Sequence, residues 1–254
     1  MTDNNKERDT TLDVLKAKPI SAWPFPRILV GVLQERAMSY ASFVFYDFWC
    51  IAQQGVPIIR MPYIRTDIGR NKLAVELLKT DYTHLLMLDI DHRHPVEIVQ
   101  RLARWVLLKP DEVKVVGGLN FRRGEPFDPC CGWWGKEGDA AIHRPTEWTD
   151  GLMKVDMVGT GSLLISRDVF ELIPPPWFFN DYSRVWADEW PGEDVSFSRL
   201  CNEYGVDLFV DTTCTSPHMT SAMITEDTFR NHLEKNESET TTYDEFVERV
   251  KEQA

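Results

Sequence analysis

The sequence predicts an α/β fold: one domain built around a mostly parallel, doubly wound sheet. Short apolar, β-branched runs alternate with helical patterns over residues 27–119, which is typical of such sheets. The composition of the 254 residues, 43% apolar and 27% charged, suits one large domain. Because doubly wound sheets bind ligands at the carboxyl ends of their strands, the residues after each strand are the candidates for a site.

The elements follow in order along the chain. The run RILVGVL, from Arg27, predicts the first strand, and the segment after it predicts a helix that ends at Gly55. Further strands are predicted in VPIIRMPYI, THLLMLDID and VKVVGGL. Helices are predicted in GRNKLAVELLKT and PVEIVQRLARWVLL, the second opened by Pro95 at a first-turn position.

After Asn120 the pattern changes, and residues 120–151 and 174–194 predict two long surface loops. They hold six of the nine tryptophans, and long loops of this kind are usually functional. Five of these tryptophans could stack on sugar or base faces or pack within the loops: Trp133, Trp134, Trp177, Trp186 and Trp190. Between the loops lie two extended segments around a Gly-rich turn and a short helix; VSFSRLCNEYG then predicts a helix and VDLFVD a strand.

Three regions follow from this pattern: an N-terminal arm (1–26), the globular domain (27–218) and an acidic, helical tail (219–254) that either packs on the domain or makes an oligomer contact. The chain has no apolar run of about 18 residues or more and no secretory-signal pattern, so we expect a cytoplasmic protein without a membrane partner. A net charge of −12 disfavours sequence-independent binding to a polyanion. Five cysteines without C-x-x-C spacing indicate reduced thiols.

Asp89 and Asp91 form a D-x-D triplet at the end of the apolar run THLLML. Two carboxylates at a strand's carboxyl end can turn into the ligand crevice, where their oxygens suit Mg²⁺ or Mn²⁺ bridging phosphates. The alternative is a pair of solvated aspartates that cap the next helix.

Three further residues carry possible chemistry. His218, just beyond VDLFVD, is either a metal ligand or an ordinary polar residue. Glu193 and Asp194 open a helix, where the helix dipole favours negative charge; one of them could also be a general base for an acceptor hydroxyl.

Arg70 and Asn71 are predicted to begin a helix, which would make either an anion site or a solvated helix start. Gly159 and Gly161, in VGTGS, do not match G-x-G-x-x-G, so dinucleotide binding is rejected there. They are interpreted as close-approach glycines beneath a ligand.

Four pieces in this order resemble the family 2-type glycosyltransferases of the Rossmann-like GT-A fold, especially the compact forms of bacteria and bacteriophages. The pieces span residues from about 27 to 218 and are more specific together than singly. They are GRNKLAVELLKTDYTHLLMLDIDHRHP, VVGGLNFRRGEPFDP, VDMVGTGSLLISRDVFELIPPPWF and GEDVSFSRLCNEYGVDLFVDTTCTSPH.

The resemblance implies a role for each matching residue. Asp91 would be the chief metal ligand, Asp89 would lie near the metal and the donor ribose, and His218 would complete the metal site. Arg70, with Asn71 beside it, would lie close to the donor nucleotide. Asp194 would be the base used by inverting members, with Glu193 beside it, and the turn from Gly159 to Gly161 would lie under the donor sugar and acceptor.

The implied function is a metal-dependent hexosyltransferase that uses Mn²⁺ or Mg²⁺ and a nucleotide-sugar, with UDP as the expected nucleotide. No Q-x-x-R-W motif follows, so non-processive transfer is expected, and the stereochemistry stays open. The acceptor is either a glycan or a hydroxymethylated base in phage-type DNA. The acidic balance disfavours DNA, whereas the Arg122, Arg123 pair and the Trp-rich loops leave room for it.

Two rival functions remain. One is an inactive fold of the same kind that binds a sugar or a protein. The other is a D-x-D phosphatase, which is disfavoured because His92 and Arg93 follow the triplet and because its strand is the third in the chain.

Overall fold

The predicted alternation of strands and helices is present in the computed structural model, which describes residues 10–34, 41–62, 64–135, 142–181, 191–220 and 223–236. The helices are α1 (Thr10–Lys16), α2 (Ala41–Ala52), α3 (Thr66–Leu78), α4 (Ile98–Leu108), α5 (Arg167–Leu172), α6 (Glu193–Glu203) and α7 (Glu226–Asn236). The strands are β1 (Ile28–Gln34), β2 (Ile58–Pro62), β3 (His84–Asp89), β4 (Val115–Leu119), β5 (Cys131–Trp134), β6 (Ile142–His143), β7 (Leu152–Val155), β8 (Met157–Val158), β9 (Ser162–Ser166), β10 (Leu208–Thr215), β11 (His218–Met219) and β12 (Met223–Ile224).

The central sheet has seven strands in the order β2-β1-β3-β9-β4-β10-β7. Five of them run in one direction, while β9 and β7 run in the other. The fold is therefore a mixed α/β, Rossmann-like domain with a mostly parallel sheet flanked by helices, which confirms the predicted fold class.

One strand of the sheet has a direct consequence for the ligand edge. Strand β9 lies antiparallel between β3 and β4, and Ser162, its first residue, pairs with Leu88 near the end of β3. The Gly-rich turn that precedes β9 is therefore brought to the carboxyl end of β3, where the D-x-D triplet begins.

The core lies on both faces of this sheet. Side chains of β3 alternate between two clusters: Leu85 and Met87 contribute to one, and Leu86 and Leu88 to the other. This alternation is the period of two that a strand imposes, and burial on both faces explains why β3 is apolar throughout.

The prediction of a surface loop is wrong for part of residues 120–151. Strand β5 pairs with β6 and β8 in a three-stranded sheet. Trp133 of β5 is 2% exposed and Trp177 is also buried, so both belong to the core. Trp134 is half-buried beside the Arg199 guanidinium. Trp186 and Trp190 lie outside the described residues.

The described parts of the two terminal regions pack on the domain. Helix α1 buries Leu15 in the core, and α7 buries Phe229, whose ring stacks on Trp148 at 6.2 Å. The predicted helical tail begins instead with strand residues, since Met219 of β11 pairs with Met223 of β12. It is helical over residues 226–236, and residues 237–254 lie outside the described part of the chain. Among the described helices, none has the length and apolar character that crossing a membrane requires.

Candidate metal and transfer site

Two chain segments meet at the carboxyl end of β3. Asp89 is the last residue of that strand, and its amide donates to the carbonyl of Gly161 at 2.9 Å. The segment after β10 returns alongside: Met219 donates its amide to the carbonyl of Asp91 at 2.7 Å, and His92 forms a β-bridge with His218. Residues that are far apart in sequence are thereby placed side by side.

Asp91, His92 and His218 form a cluster whose possible ligand atoms all lie within 4.8 Å of one another. Each carboxylate oxygen of Asp91 faces one imidazole: Oδ1 lies 3.0 Å from His92 Nδ1, and Oδ2 lies 3.3 Å from His218 Nε2. The two rings stack with centroids 4.0 Å apart. The predicted pairing of Asp91 with His218 is therefore present as a contact.

The protonation of His218 favours a cation at this cluster. Its Nδ1 lies 2.9 Å from the carbonyl oxygen of Phe121, which only accepts hydrogen bonds, so Nδ1 carries the proton. In the neutral ring Nε2 is then a lone pair, and it is buried without a hydrogen-bond partner in the described structure. A carbonyl that orients a histidine in this way is typical of metal ligands.

The carboxylate of Asp91 is ionised. Burial raises its pKa, but the neighbouring imidazoles of His218 and His92 outweigh burial and hold the pKa well below its usual range. A negative carboxylate and an imidazole lone pair that face each other repel unless a proton or a metal ion lies between them. These residues therefore fit a divalent metal ion.

A positive side chain already approaches this cluster. Arg123 Nη1 lies 3.3 Å from Asp91 Oδ2, the same oxygen that faces His218. Its side chain is 55% exposed, so it can move away when another cation arrives. Its neighbour Arg122 lies near Asp128 instead, at 3.9 Å.

The first aspartate of the triplet lies in a different environment. Asp89 Oδ2 accepts a hydrogen bond from Arg70 Nη2 at 3.0 Å, while its Oδ1 is buried without a hydrogen-bond partner among the described residues. Arg70 Nε also donates to Glu193 Oε1 at 3.1 Å. Asp89 is thus not part of the cluster around Asp91, and its predicted contact with the donor ribose stays a prediction.

The Arg70 guanidinium is 2% exposed and remains charged. Burial lowers its pKa, but the carboxylates of Asp89 and Glu193 more than compensate and raise the pKa above its ordinary value. Arg70 therefore joins the end of β3 to the beginning of α6 through a buried positive charge.

The prediction that Arg70 and Asn71 begin a helix is wrong. Helix α3 begins at Thr66, so both residues lie in its second turn, away from the amides that make a helix N-terminus an anion site. The Asn71 amide instead fixes the segment after α5: it donates to Phe178 O at 2.6 Å and accepts from Trp177 N at 2.9 Å. The argument that Arg70 and Asn71 bind a nucleotide as a helix start therefore no longer applies.

Glu193 and Asp194 begin α6, as predicted. Burial is the main cause that raises the pKa of both carboxyl groups above their ordinary values. Asp194 Oδ1 accepts from the amide of Val195 at 2.8 Å, whereas Glu193 is held by Arg70. Asp194 is therefore the more available proton acceptor.

The two glycines have different surroundings. A Cβ on Gly161 would lie 2.9 Å from the His92 ring and from Asn120 Nδ2, so glycine allows the turn to lie directly against the cluster. A Cβ on Gly159 would lie 2.8 Å from Cys130 Cβ. Gly159 thus permits close packing against the residue before β5, and Gly161 is the glycine that borders the candidate site.

No protein-family model and no curated protein matches this sequence. Among solved structures, the crystal structure of A197 from STIV aligns with a TM-score of 0.53 and 17% identity, over 79% of this chain and 91% of that chain. The two proteins share a fold.

Two further structures align at lower TM-scores. GalNAc-T7 with UDP, GalNAc and Mn²⁺ gives 0.47 at 13% identity, over 81% of this chain and 41% of that chain. CMP:2-keto-3-deoxy-manno-octonic acid synthetase complexed with CTP gives 0.40 at 10% identity, over 82% and 96%. Both scores are too low to establish a shared fold.

Sequence reasoning missed the position of His92 in the cluster and the contact of Arg123 with Asp91. A signal for His92 was present, since it directly follows the D-x-D triplet at a strand end. No sequence signal places Arg123, because its contact depends on how the segment after β4 folds back toward β3.

Proposed function

We propose that the protein is a metal-dependent glycosyltransferase of the GT-A type, similar to family 2, that transfers a sugar from a nucleotide-sugar to an acceptor hydroxyl. The carrying observation is the pairing of Asp91 with the buried Nε2 of His218, which has no hydrogen-bond partner among the described residues, at the sheet edge where α/β folds bind ligands. The donor we propose is a UDP-sugar, and transfer is non-processive.

Asp91 and His218 would hold Mn²⁺ or Mg²⁺, which would stabilise the negative charge that develops on the diphosphate leaving group. Asp89, held by Arg70, keeps one buried acceptor oxygen without a partner among the described residues. A ribose hydroxyl of the donor would donate to that oxygen.

Asp194 would accept the proton of the acceptor hydroxyl. Its raised pKa, caused mainly by burial, makes it a stronger base than an ordinary aspartate. Glu193 beside it is paired with Arg70, so its part would be to hold the start of α6 in place.

A glycan is the acceptor that we favour over a hydroxymethylated DNA base. The basic pair that left room for DNA is engaged in contacts with carboxylates, Arg123 with Asp91 and Arg122 with Asp128. Trp133 and Trp177 are buried in the core and cannot stack on an extruded base.

The first test is thermal stabilisation by a panel of nucleotide-sugars with and without Mn²⁺, because ligand binding raises apparent stability. We expect a metal-dependent shift with one nucleotide-sugar that is lost in Asp91→Ala. The exposed Asp111, between α4 and β4, provides the control Asp111→Ala, which should keep the shift. No shift with any donor would contradict the proposal.

Turnover is tested next by mass spectrometry of glycan acceptors and of hydroxymethylated DNA incubated with the donor that binds. Binding without transfer to any acceptor, and without donor hydrolysis, would favour a sugar-binding module. Release of phosphate from an aryl phosphate would favour a phosphatase.

A further inference from the structure

We propose that His92 is a direct ligand of the cation and that Asp89 is not, so that two imidazoles and one carboxylate select a first-row transition ion over Mg²⁺. The inference rests on the metal site of the proposed function and goes beyond it in the ligand set and in the choice of ion.

His92 offers its nitrogen beside the nitrogen of His218. Its Nδ1 lies 3.0 Å from Asp91 Oδ1, and the planes of the two stacked rings are inclined by 22°. Ligands that each lie about 2.1 Å from one ion are at most about 4.2 Å apart. The three donor atoms lie within 4.8 Å of one another, so movement of the less buried Asp91 and His218 side chains toward His92 brings all three onto one ion.

The His92 ring is held in place from several sides. It is 3% exposed, it lies between the rings of His218 and His94, and Gly161 closes a further side, where a Cβ would be 2.9 Å from its Nε2. A ring with so little freedom loses little entropy when it coordinates, and such preorganisation favours metal binding.

His94 has a different part in the same row of rings. Its Nε2 donates to the carbonyl of Asp89 at 2.8 Å, and its Nδ1 accepts from the hydroxyl of Ser216 at 3.0 Å. Both nitrogens are used, so His94 supports its neighbours without offering a ligand atom.

Asp89 is not among the residues whose possible ligand atoms all lie within 4.8 Å of one another. Its Oδ2 is bonded to the buried Arg70 guanidinium, and moving it to a metal ion would leave that guanidinium with a single carboxylate, from Glu193. Removing one partner of a buried charge is costly, so the pair with Arg70 is retained.

The ligand set determines which ion is preferred. Mg²⁺ favours oxygen ligands in near-ideal octahedral geometry and gives up water reluctantly. Imidazole nitrogens favour later first-row ions, and affinity for a nitrogen-containing site rises along the series from Mn²⁺. We therefore expect Co²⁺ and Mn²⁺ to bind more tightly than Mg²⁺.

Pulsed electron paramagnetic resonance of the Mn²⁺-loaded full chain, without nucleotide, counts the coordinated imidazole nitrogens. We expect two in the wild type, one in His92→Phe and one in His218→Ala. His92→Phe keeps an aromatic ring stacked on His218 and removes the nitrogens. The matched control is His94→Ala, from the same segment, which should retain two.

If His92 only orients Asp91 by a hydrogen bond, the wild type will show one coordinated nitrogen and His92→Phe will show the same; that result overturns the inference. Calorimetric titration gives a second readout. The preference for Co²⁺ over Mg²⁺ should fall roughly tenfold or more in His92→Phe, the scale of changes around metal ligands, and equal affinity for both ions in the wild type also overturns the inference.

Both measurements use metal alone, so their outcome is independent of the donor. Two coordinated imidazoles without any nucleotide-sugar shift would contradict the proposed function but leave the ligand set standing. Thermal stabilisation by a nucleotide-sugar together with a single coordinated imidazole would support the proposed function and contradict the ligand set.

Discussion

Arg70 and Asp89 form an ion pair inside the protein, with Nη2 of the arginine 3.0 Å from Oδ2 of the aspartate. The same guanidinium donates to Glu193 at 3.1 Å. One buried positive charge is thus shared between a carboxylate at the end of β3, which leads into the Asp91 cluster, and a carboxylate from the helix that carries the candidate base. Arg70 therefore links the strand end that carries the proposed metal ligands to the helix that carries the proposed base.

Replacing Arg70 by methionine should destabilise the protein by about 3–5 kcal/mol, because two half-buried carboxylates lose their buried counter-charge. The free energy of unfolding, measured by urea denaturation, checks this. The control is Lys79→Met, just after the same helix, which removes an exposed pair with Glu76 and should cost about 1 kcal/mol or less. Equal losses in the two variants would mean that the pair of Arg70 with Asp89 contributes no more than a surface contact.

Replacing Asp194 by asparagine should lower kcat by about 10²–10⁴-fold, the range for loss of a general base, and should leave the thermal shift with the donor intact. The control is Asp156→Asn. Asp156 is a half-buried aspartate whose pKa is also raised by burial and which accepts from the amide of Trp134 in β5. Near wild-type turnover in Asp194→Asn would rule out this base.

The pH profile of the wild type gives a second test of Asp194. A base must be deprotonated, so kcat should rise with pH through the pKa of Asp194, which burial places above that of an ordinary aspartate. Because the pKa of Asp194 is higher in the folded protein than in the unfolded chain, the contribution of this group to the free energy of unfolding falls as pH rises through the folded pKa. An acid limb at or below the ordinary aspartate value would contradict the assignment.

Replacing Arg123 by alanine should strengthen Mn²⁺ binding in the absence of donor. Its guanidinium lies 3.3 Å from Asp91 Oδ2 and competes with the ion for that oxygen. Because the arginine is 55% exposed, we expect a gain of a few-fold, on the scale of about 1 kcal/mol or less, by calorimetry. Arg122→Ala, at the neighbouring position, should leave the affinity unchanged, and weaker binding in Arg123→Ala would show that the arginine supports the ion.

His84 should make the stability of the fold sensitive to acid. It is buried at the start of β3, and burial is the main cause that lowers its pKa from 6.5 to about 4. Below pH 6.5 His84 becomes protonated in the unfolded chain but stays neutral in the folded protein. The free energy of unfolding that is fully present above pH 6.5 is therefore lost as pH falls toward 4. The loss should approach about 3 kcal/mol from this group.

The measurement is urea unfolding at several values of pH for the wild type and for His84→Gln, whose amide can still bond to Thr83 Oγ1. The glutamine variant should lose less stability between pH 7 and pH 4.5 than the wild type does. Parallel pH dependence in the two proteins would show that His84 can take up a proton in the folded state.

The parts of the fold that follow from local pattern were predictable. Each buried strand is a short apolar run bounded by polar residues, as in THLLMLD, and this pattern is set by burial on both faces. The position of α3 was harder: Thr66 and Asp67 begin the helix, but the sequence offers no clear boundary before Arg70. Strand β5 was missed because its aromatic residues are buried by a partner strand from elsewhere in the chain.

The candidate site shows the same division. Asp89, Asp91, Glu193, Asp194 and His218 could be named from their positions at predicted element ends. Which of them touch could not, because a contact between Asp91 and His218 depends on the pairing of segments that lie far apart in the chain. Asp89 lies outside the Asp91 cluster and is bonded instead to Arg70, which reaches it from the second turn of α3.

By itself, the sequence determined the α/β class, the order of the elements and the chemical groups available at the strand ends, because hydrophobic periodicity and element boundaries are local properties of the chain. Only the tertiary structure decided that His92 stacks on His218, that Arg70 joins Asp89 to Glu193, and that Gly161 borders the cluster. These relationships arise from the antiparallel insertion of β9 beside β3 and from the return of the chain after β10, and such long-range pairings are fixed by packing of the whole sheet.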